Sequence, residues 1–355
     1  FRSKQLNKYY LKLQIYIIVM LARKNKKTWV EKYRPKTLDT LVQQEDIKQV
    51  IEYAREHDAM PHMLLYGPAG TGKTTTALAI CKYLYWQPDK NILENEKVMR
   101  ERVLELNASD DRGIQFVRED IKSFAQNTIS EHPGLPRFKI IILDESDAMT
   151  SDSQFALRMI IELYSSTTRF IMMCNFVNKI IMPIKSRTMK IRYKAITLPV
   201  MENMIENIAK KEKLTIEKDF IKELRIISKG DMRKSINLLE NVYYLYNKFD
   251  IKDLRECAGL LEKSYIENII NIIGDPNTTP KNILFLVNDF KNESYSSLIL
   301  IEDIFNHIVS LNIKDKLKSK IILCIVDVDA ALNNNADETI QLIHLFMIIN
   351  QCLTI

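Results

Sequence analysis

The sequence predicts an α/β domain built on a parallel sheet, followed by two all-helical domains. Three observations carry that prediction. Between residues 29 and 195 short apolar runs alternate with amphipathic stretches, and the runs are apolar throughout rather than at every second position. Strands covered on both faces have that composition. From Leu198 onward the alternation stops and only helical spacing of apolar residues recurs. The 355 residues are 46% hydrophobic with only 8 Gly and 10 Pro, which sets aside disordered and collagen-like classes and allows two or three cores.

The elements follow in order. "HMLLYG" (62–67) reads as a strand leading into a helix at 73–86, and "RVLELN" (102–107) as a strand leading into a helix at about 112–127. "FKIIILD" (138–144) precedes a helix at about 151–163, and "RFIMMCN" (169–175) a short helix at about 177–184. "MKIRYK" (189–194) closes the series. Beyond it, "VMENMIENIAKKEKL", "EKDFIKELRIISKG" and "DMRKSINLLENVYYLY" each place apolar residues at i, i+3 and i+4. A last helical block begins near Ala258, broken at "GDPNTTP", "KNESYS" and "NNNADE", which are rich in turn and cap residues. The expected division is an N-terminal extension at 1–28, disordered, then domains at 29–195, 196–257 and 258–355.

The formal charge is +6, but it is unevenly spread. Residues 196–355 hold 19 Lys and Arg against 23 Asp and Glu, and eight basic residues with no acid precede Trp29. Overall charge therefore argues nothing about nucleic acid; any such case must be local. Five cysteines are scattered without a C-x-x-C pair, which suits buried thiols in a reducing compartment rather than a disulfide frame or zinc site. The apolar stretch in "YYLKLQIYIIVML" is shorter than the ~20 residues a bilayer span needs. "ARKNKK" follows it in place of a small-residue cleavage site. Residues 1–19 therefore read as an upstream extension outside the fold, and no membrane association is expected.

"GPAGTGKT" (67–74) matches G-x-x-x-x-G-K-[ST], after a strand and opening a helix. Gly67, Pro68, Ala69, Gly70, Thr71 and Gly72 form a loop whose amides can turn toward phosphate oxygens, aided by the helix N-terminus. Lys73 is expected at the β- and γ-phosphates of ATP, Thr74 on Mg²⁺, and Thr75 beside them. "KIIILDESD" ends in Asp144 and Glu145 at the sheet's C-terminal edge, where an α/β fold places its ligands. Asp144 would hold Mg²⁺, directly or through water, and Glu145 would polarise the water that attacks the γ-phosphate. Asn175 ends a third strand at the same edge and offers a donor and an acceptor to that water. In "GDMRKSIN" (230–237) Asp231 can cap a helix whose first turn carries Arg233. A guanidinium there opposes the helix dipole, so a γ-phosphate is its expected partner.

Taken together, "VEKYRPKTLDTLVQQ" (30–44), "LLYGPAGTGKTT" (64–75), "LELNASDDRGI" (104–114), "ILDESDAMT" (142–150), "MMCNFVNKIIMPIKSRT" (172–188) and "GDMRKSINLLE" (230–240) resemble the small subunits of eukaryotic replication factor C, an AAA+ clamp loader. The resemblance runs from about Trp29 to the C-terminus. It implies an AAA+ P-loop NTPase domain, a helical lid and a helical collar that joins five unlike subunits. It further implies ATP hydrolysis that opens the PCNA sliding clamp and loads it on primer–template DNA in the nucleus. In the family's serine-arginine-cysteine box, here Ser186-Arg187-Thr188, the arginine serves the neighbouring subunit's ATP; Thr replaces Cys. The family's adenine-side segment corresponds to Val30, Tyr33 and Arg34, with Pro35 stiffening the turn.

In such a ring the loop after the second strand faces inward. Ser109, Arg112 and Arg118 are therefore DNA-backbone candidates, with Ser151 and Gln154 at another helix start; solvated helix charges are the plainer alternative. Asn107, at a strand end beside the phosphate loop, is a candidate switch between DNA and Glu145. Arg158 is open as an intersubunit ion-pair partner. Tyr85 and Trp86, expected exposed at a helix end, either dock on the clamp or, for Trp86, pack against their own domain. Rivals from other classes are a small-molecule P-loop kinase and a nucleotide-binding scaffold without turnover.

Overall fold

The computed structural model describes residues 27–35, 45–109, 117–128, 133–246, 248–293 and 295–354. The disorder expected at 1–28 thus falls outside the described residues, apart from exposed Lys27 and Thr28. Contacts divide the chain into two compact units between Asn237 and Leu238.

In the first unit, strands β1 (Met63–Tyr66), β2 (Val103–Asn107), β3 (Lys139–Asp144), β4 (Thr168–Cys174) and β5 (Met189–Arg192) form one sheet in the order β2-β3-β4-β1-β5. Every pairing is parallel. Side chains alternate between two cores, as the two-residue period requires. Met63, Leu65, Ile140, Ile142, Ile171 and Met173 point to one face. There they meet helices α2 (Glu45–His57), α3 (Lys73–Tyr85) and α4 (Ile92–Arg102). Leu64, Ile141, Leu143, Phe170 and Met172 point to the other face. They meet α6 (Ser151–Leu163) and α7 (Met182–Lys185), with Ile121 just before α5 (Lys122–Gln126). A four-residue helix α1 (Trp29–Lys32) precedes all of these.

Several sequence expectations are adjusted. The expected helix at about 112–127 is described from a π-helical turn at Val117–Ile121 through α5; its first residues lie outside the described ones. The expected helix at 177–184 is a 3-10 turn, Val177–Lys179, followed by α7. Tyr85 is not exposed: it lies fully buried on the α3 face that carries Cys81 and Leu84, and its hydroxyl donates to the Phe138 carbonyl at 2.7 Å. Trp86 is half-buried with the Lys82 ammonium over its ring at 5.0 Å. The segment after it forms α4, capped by Asn91, whose side chain accepts from the Glu94 amide.

Helices α8 (Leu198–Glu212) and α9 (Lys218–Ser228) pack on each other, and α10 (Met232–Tyr246) follows. Met201, Ile205 and Ile208 of α8 and Phe220, Ile221 and Leu224 of α9 are buried at the period a helix face requires.

The second unit holds α11 (Ile251–Cys257), α12 (Lys263–Gly274), α13 (Pro280–Asn292), α14 (Ser297–Ser310), α15 (Asp315–Asn333) and α16 (Glu338–Leu353). Helix α16 packs against α12, α13 and α15, with Leu342, Leu345, Phe346 and Ile349 at the core. The breaks read from sequence are its caps. Thr279 accepts from the Asn282 amide ahead of Pro280, and Asp337 accepts from the Ile340 amide. Among the described residues no helix is long and apolar enough to cross a membrane.

Candidate nucleotide-binding site

The strand order fixes where the chemistry gathers. Because β1 lies beside β4, and β4 beside β3, the loops leaving their C-terminal ends share one edge. The Gly67 amide donates to the Cys174 carbonyl at 3.3 Å, tying the start of the loop to the end of β4. Gly67 has φ 146°, and a Cβ there would stand 2.2 Å from the Tyr193 carbonyl oxygen. Gly70 has φ 65°, and a Cβ there would strike the Asp231 carboxylate at 1.6 Å. Both positions therefore require glycine.

Lys73, the first residue of α3, donates to the Gly67 and Pro68 carbonyls at 2.8 Å each and to Asn175 Oδ1 at 2.9 Å. Burial lowers its pKa, and the nearby Asp144 carboxylate works against that shift. Thr74 Oγ1 donates to Asp144 Oδ2 at 2.8 Å, while Asp144 Oδ1 accepts the Glu145 amide at 2.8 Å. A hydroxyl and a carboxylate thus meet at one point, the hard oxygen set that Mg²⁺ takes together with phosphate oxygens. Glu145 itself is exposed and sits in the left-handed region at φ 51°, ψ 37°. Asp147 accepts from the Asn175 and Phe176 amides at 3.2 and 3.0 Å, which anchors the end of β4.

These groups line a cleft of about 440 Å³, within the range of small-ligand sites. Ala69, Gly70, Thr71, Gly72, Lys73, Thr74, Thr75, Asp144, Glu145, Asn175 and Arg233 line its polar part. Its apolar part is Val30, Ile196, Met204, Met232 and Ile236, with Tyr33 and Arg34 alongside. A nucleotide has the same two-part character: a flat, weakly polar base and a highly charged phosphate chain. Gly67 and Pro68 contribute the carbonyls that hold Lys73 rather than the lining.

The segment before the sheet is strapped to α8. Tyr33 Oη and Lys32 Nζ both donate to Glu212 Oε1 at 2.5 Å, and Lys211 lies over the Tyr33 ring at 5.6 Å. Arg34 Nε donates to Thr75 Oγ1 at 3.2 Å. Asp231 caps α10 by accepting the Lys234 amide at 3.0 Å, and the Met232 amide donates to the Gly70 carbonyl at 3.2 Å. Arg233 is thereby set one residue from a direct contact with the phosphate loop. Sequence reasoning did not find Ile196, Met204, Met232 and Ile236. Only Ile236 carried a signal, standing one turn beyond Met232 on the same helix face.

The remaining candidates are scattered. Arg187 lies outside the cleft, its side chain 40% exposed, paired with Glu162 at 2.7 Å. Arg158 pairs with the same carboxylate at 3.1 Å, within its own chain. Asn107 stands opposite Asp144 in the β2–β3 register, and its Oδ1 accepts from the Ser109 amide and hydroxyl at 3.1 and 2.9 Å. Ser109 and Ser151 are exposed. Gln154 is a correction: it is buried, donates to the Met149 and Lys179 carbonyls and accepts the Ile181 amide, so no part of it is offered to a phosphate. Arg112 and the Arg118 side chain lie outside the described residues.

Comparison with known proteins bears on the whole chain. Residues 63–195 match the ATPase family associated with various cellular activities (AAA). Residues 203–243 match the RCF1/5-like AAA+ ATPase lid domain, and residues 262–347 the replication factor C C-terminal domain. Replication factor C subunit 4 of Homo sapiens is 38% identical over 332 residues, covering 92% of this chain and 88% of that protein. Subunit 2 of Schizosaccharomyces pombe is 38% identical over 340 residues, covering 91% and 96%. Subunit 5 of Homo sapiens is 36% identical over 315 residues, covering 88% of each. Among solved structures, a point mutant of RuvB from Thermotoga maritima aligns with TM-score 0.50 at 18% identity, covering 68% of this chain and 79% of that one, which speaks for the fold alone. With a parallel-sheet P-loop domain, a lid and a C-terminal helical domain all matched in sequence order, the chain belongs to the replication factor C subunits and is an AAA+ ATPase.

Proposed function

We infer that this chain is a small subunit of a replication factor C hetero-pentamer that uses ATP and Mg²⁺ to open the PCNA sliding clamp and load it onto primer–template DNA during nuclear replication and repair. On this reading residues 29–195 are the ATPase domain, 196–257 the lid and 258–355 the collar. The observation that carries the reading is a division of labour. Lys73, Thr74, Asp144, Glu145, Asn175 and Arg233 converge on one cleft, while Arg187 stands exposed outside it.

Within the cleft the loop amides and Lys73 hold the triphosphate, and Val30, Met204 and Ile236 cover the base. Thr74 and Asp144 would hold Mg²⁺, which when bound would neutralise charge on the phosphate oxygens. Glu145 takes a proton from the attacking water, Asn175 orients that water, and Arg233 meets the γ-phosphate from the lid. Arg187 performs the corresponding service for the adjoining subunit's ATP. Ser109, Arg112, Arg118 and Ser151 are read as contacts to the DNA backbone, sequence-independent and weakened by salt. Asn107 is read as the relay to Glu145. An Asn107→Ala complex that kept its full DNA stimulation would remove that relay.

The test is ATP turnover by the reconstituted complex, with and without primed DNA and clamp. Glu145→Gln should lower stimulated turnover at this subunit's site by roughly 10²–10⁴-fold while nucleotide still binds. Stimulated turnover by the complex left unchanged by the substitution would favour the scaffold reading, in which this subunit binds nucleotide but does not hydrolyse it.

A further inference from the structure

The surface around Arg187 is organised, and the organisation involves a residue with no role so far. Arg187 follows α7, which packs on α6. Its Nη2 donates to Glu162 Oε1 at 2.7 Å, and its Nη1 donates to the Pro183 carbonyl at 2.9 Å, with Ser186 Oγ at 3.4 Å. One acceptor comes from each helix, so the planar guanidinium is fixed at both terminal nitrogens. Glu162 Oε1 also accepts from Arg158 Nε at 3.1 Å, one turn earlier on α6. Two cations on one carboxylate leave that patch with a net positive charge. The guanidinium has five N–H donors, so donors remain for a phosphate.

The same helix presents Phe155, Met159 and Leu163 at i, i+4 and i+8, and these are 49%, 53% and 67% exposed. Met182 of α7 is 73% exposed. An apolar row of this kind beside a charged cluster fits burial against another protein. Resting on the reading above, in which Arg187 serves an adjoining subunit, we propose that Glu162 is a positioning residue for that arginine: it holds the guanidinium in its delivering orientation. The ion pair is exposed in the separate chain, where such pairs contribute little to stability. Covering the apolar row lowers the local dielectric and strengthens the same contact. Glu162 therefore matters to turnover in the assembly and not to folding of the subunit.

The test uses the reconstituted complex, with the adjoining subunit's ATP site as reporter and the other sites silenced at their phosphate-loop lysines. Glu162→Gln keeps the shape and removes the charge. It should lower reporter kcat by about 3–10-fold, equivalent to about 0.7–1.4 kcal/mol, with KM for ATP within about twofold. The chain's melting temperature should not move. Glu162→Asp, which keeps the charge, should retain more activity than Glu162→Gln. In an Arg187→Ala background, Glu162→Gln should have no further effect, because there is then no guanidinium to position. A Glu162→Gln complex with unchanged or raised kcat would overturn the proposal, as would an equal loss with and without Arg187, which marks a merely structural role. Arg187→Ala is also the control on the underlying reading: if it leaves reporter turnover intact, the trans-acting arginine is wrong and the role of Glu162 falls with it. If Arg187→Ala lowers turnover and Glu162→Gln does not, only the present proposal fails.

Discussion

The two ends of the central sheet each hold a lysine, and the pair shows how little a hydrogen-bond count says about role. At the C-terminal end Lys73 donates to three acceptors, Gly67 O, Pro68 O and Asn175 Oδ1. At the N-terminal end Lys139, the first residue of β3, also donates to three, the Phe124, Ala125 and Asn127 carbonyls. Burial lowers both pKa values. The difference lies in what else faces each ammonium. Lys139 is 1% exposed, closes the carbonyl end of α5 and has the Phe124 ring against it at 5.0 Å. Lys73 opens on a 440 Å³ cleft, and one of its acceptors is a side chain that can rotate away. A cation sealed onto a helix C-terminus completes the fold. A cation with similar partners beside open space is available to a ligand.

The sharpest test of that contrast exchanges each lysine for methionine, which preserves the stem. Lys139→Met orphans the last carbonyls of α5 and should destabilise the chain by about 3 kcal/mol, read by urea unfolding, while nucleotide affinity of the folded protein stays within twofold. Lys73→Met should do the reverse. Nucleotide dissociation constants should rise by roughly 10–100-fold through loss of a charge-assisted contact, with little change in unfolding free energy. Equal stability losses in the two variants would break the comparison.

His62 sharpens it at the sealed end. Its Nδ1 accepts the Phe170 amide at 3.2 Å just beyond the β1–β4 ladder, so the ring must stay neutral. Burial, helped by Arg169, holds its pKa at about 4 instead of the ordinary 6.5. Between those values the unfolded chain takes a proton that the folded chain refuses. The contribution to stability is therefore complete above pH 6.5 and is lost as the pH falls toward 4, by roughly 2 kcal/mol after discounting for partial exposure. His62→Asn, whose Oδ1 stands where Nδ1 stands, should remove that slope. Unfolding free energies of the two proteins at pH 7, 5.5 and 4 give the comparison.

The open end of the sheet was far more legible in the sequence than the sealed end. The phosphate loop, Asp144, Glu145 and Asn175 follow strands whose apolar runs are unmistakable, and α6 is found at Ser151–Leu163 as expected. Gln154 was misread because its place in the first turn of a helix suggests a side chain offered to a phosphate. Its place three residues before Leu157 and seven before Ile161 puts it on the buried stripe, where it has three hydrogen bonds. Tyr85 carried a comparable warning, four residues after Cys81 on the buried face of α3. Helix α4 gave little periodicity to read, with only Asn95, Val98 and Arg102 buried, and its Asn91 cap was the usable sign. The strap from Tyr33 and Lys32 to Glu212 joins residues about 180 apart in sequence, and local patterns carry no information about such a pairing. Strand order is invisible for the same reason.

The smallest expected effect is the most discriminating, because it asks one residue to show opposite signs in two assays. Glu145 follows β3 with a left-handed backbone, φ 51° and ψ 37°, which costs a side-chain-bearing residue on the order of 1 kcal/mol. Among the described residues its exposed carboxylate has no hydrogen bond or ion pair that recovers this cost, while its amide is held by Asp144 Oδ1 at 2.8 Å whatever the side chain. Glycine adopts the same conformation without the steric penalty but gives up more freedom on folding. Glu145→Gly should therefore stabilise the chain by about 0.5 kcal/mol, a rise in melting temperature of a degree or so, and should abolish turnover at this subunit's site. Lys139 at the sealed end cannot respond in that way, since its substitution removes a donor from three carbonyls. If Glu145→Gly proved destabilising by more than the roughly 1 kcal/mol that glycine's extra freedom in the unfolded chain costs, the strain would have to be repaid by contacts of the carboxylate within its own chain, and the open end of the sheet would then be held together as its opposite end is.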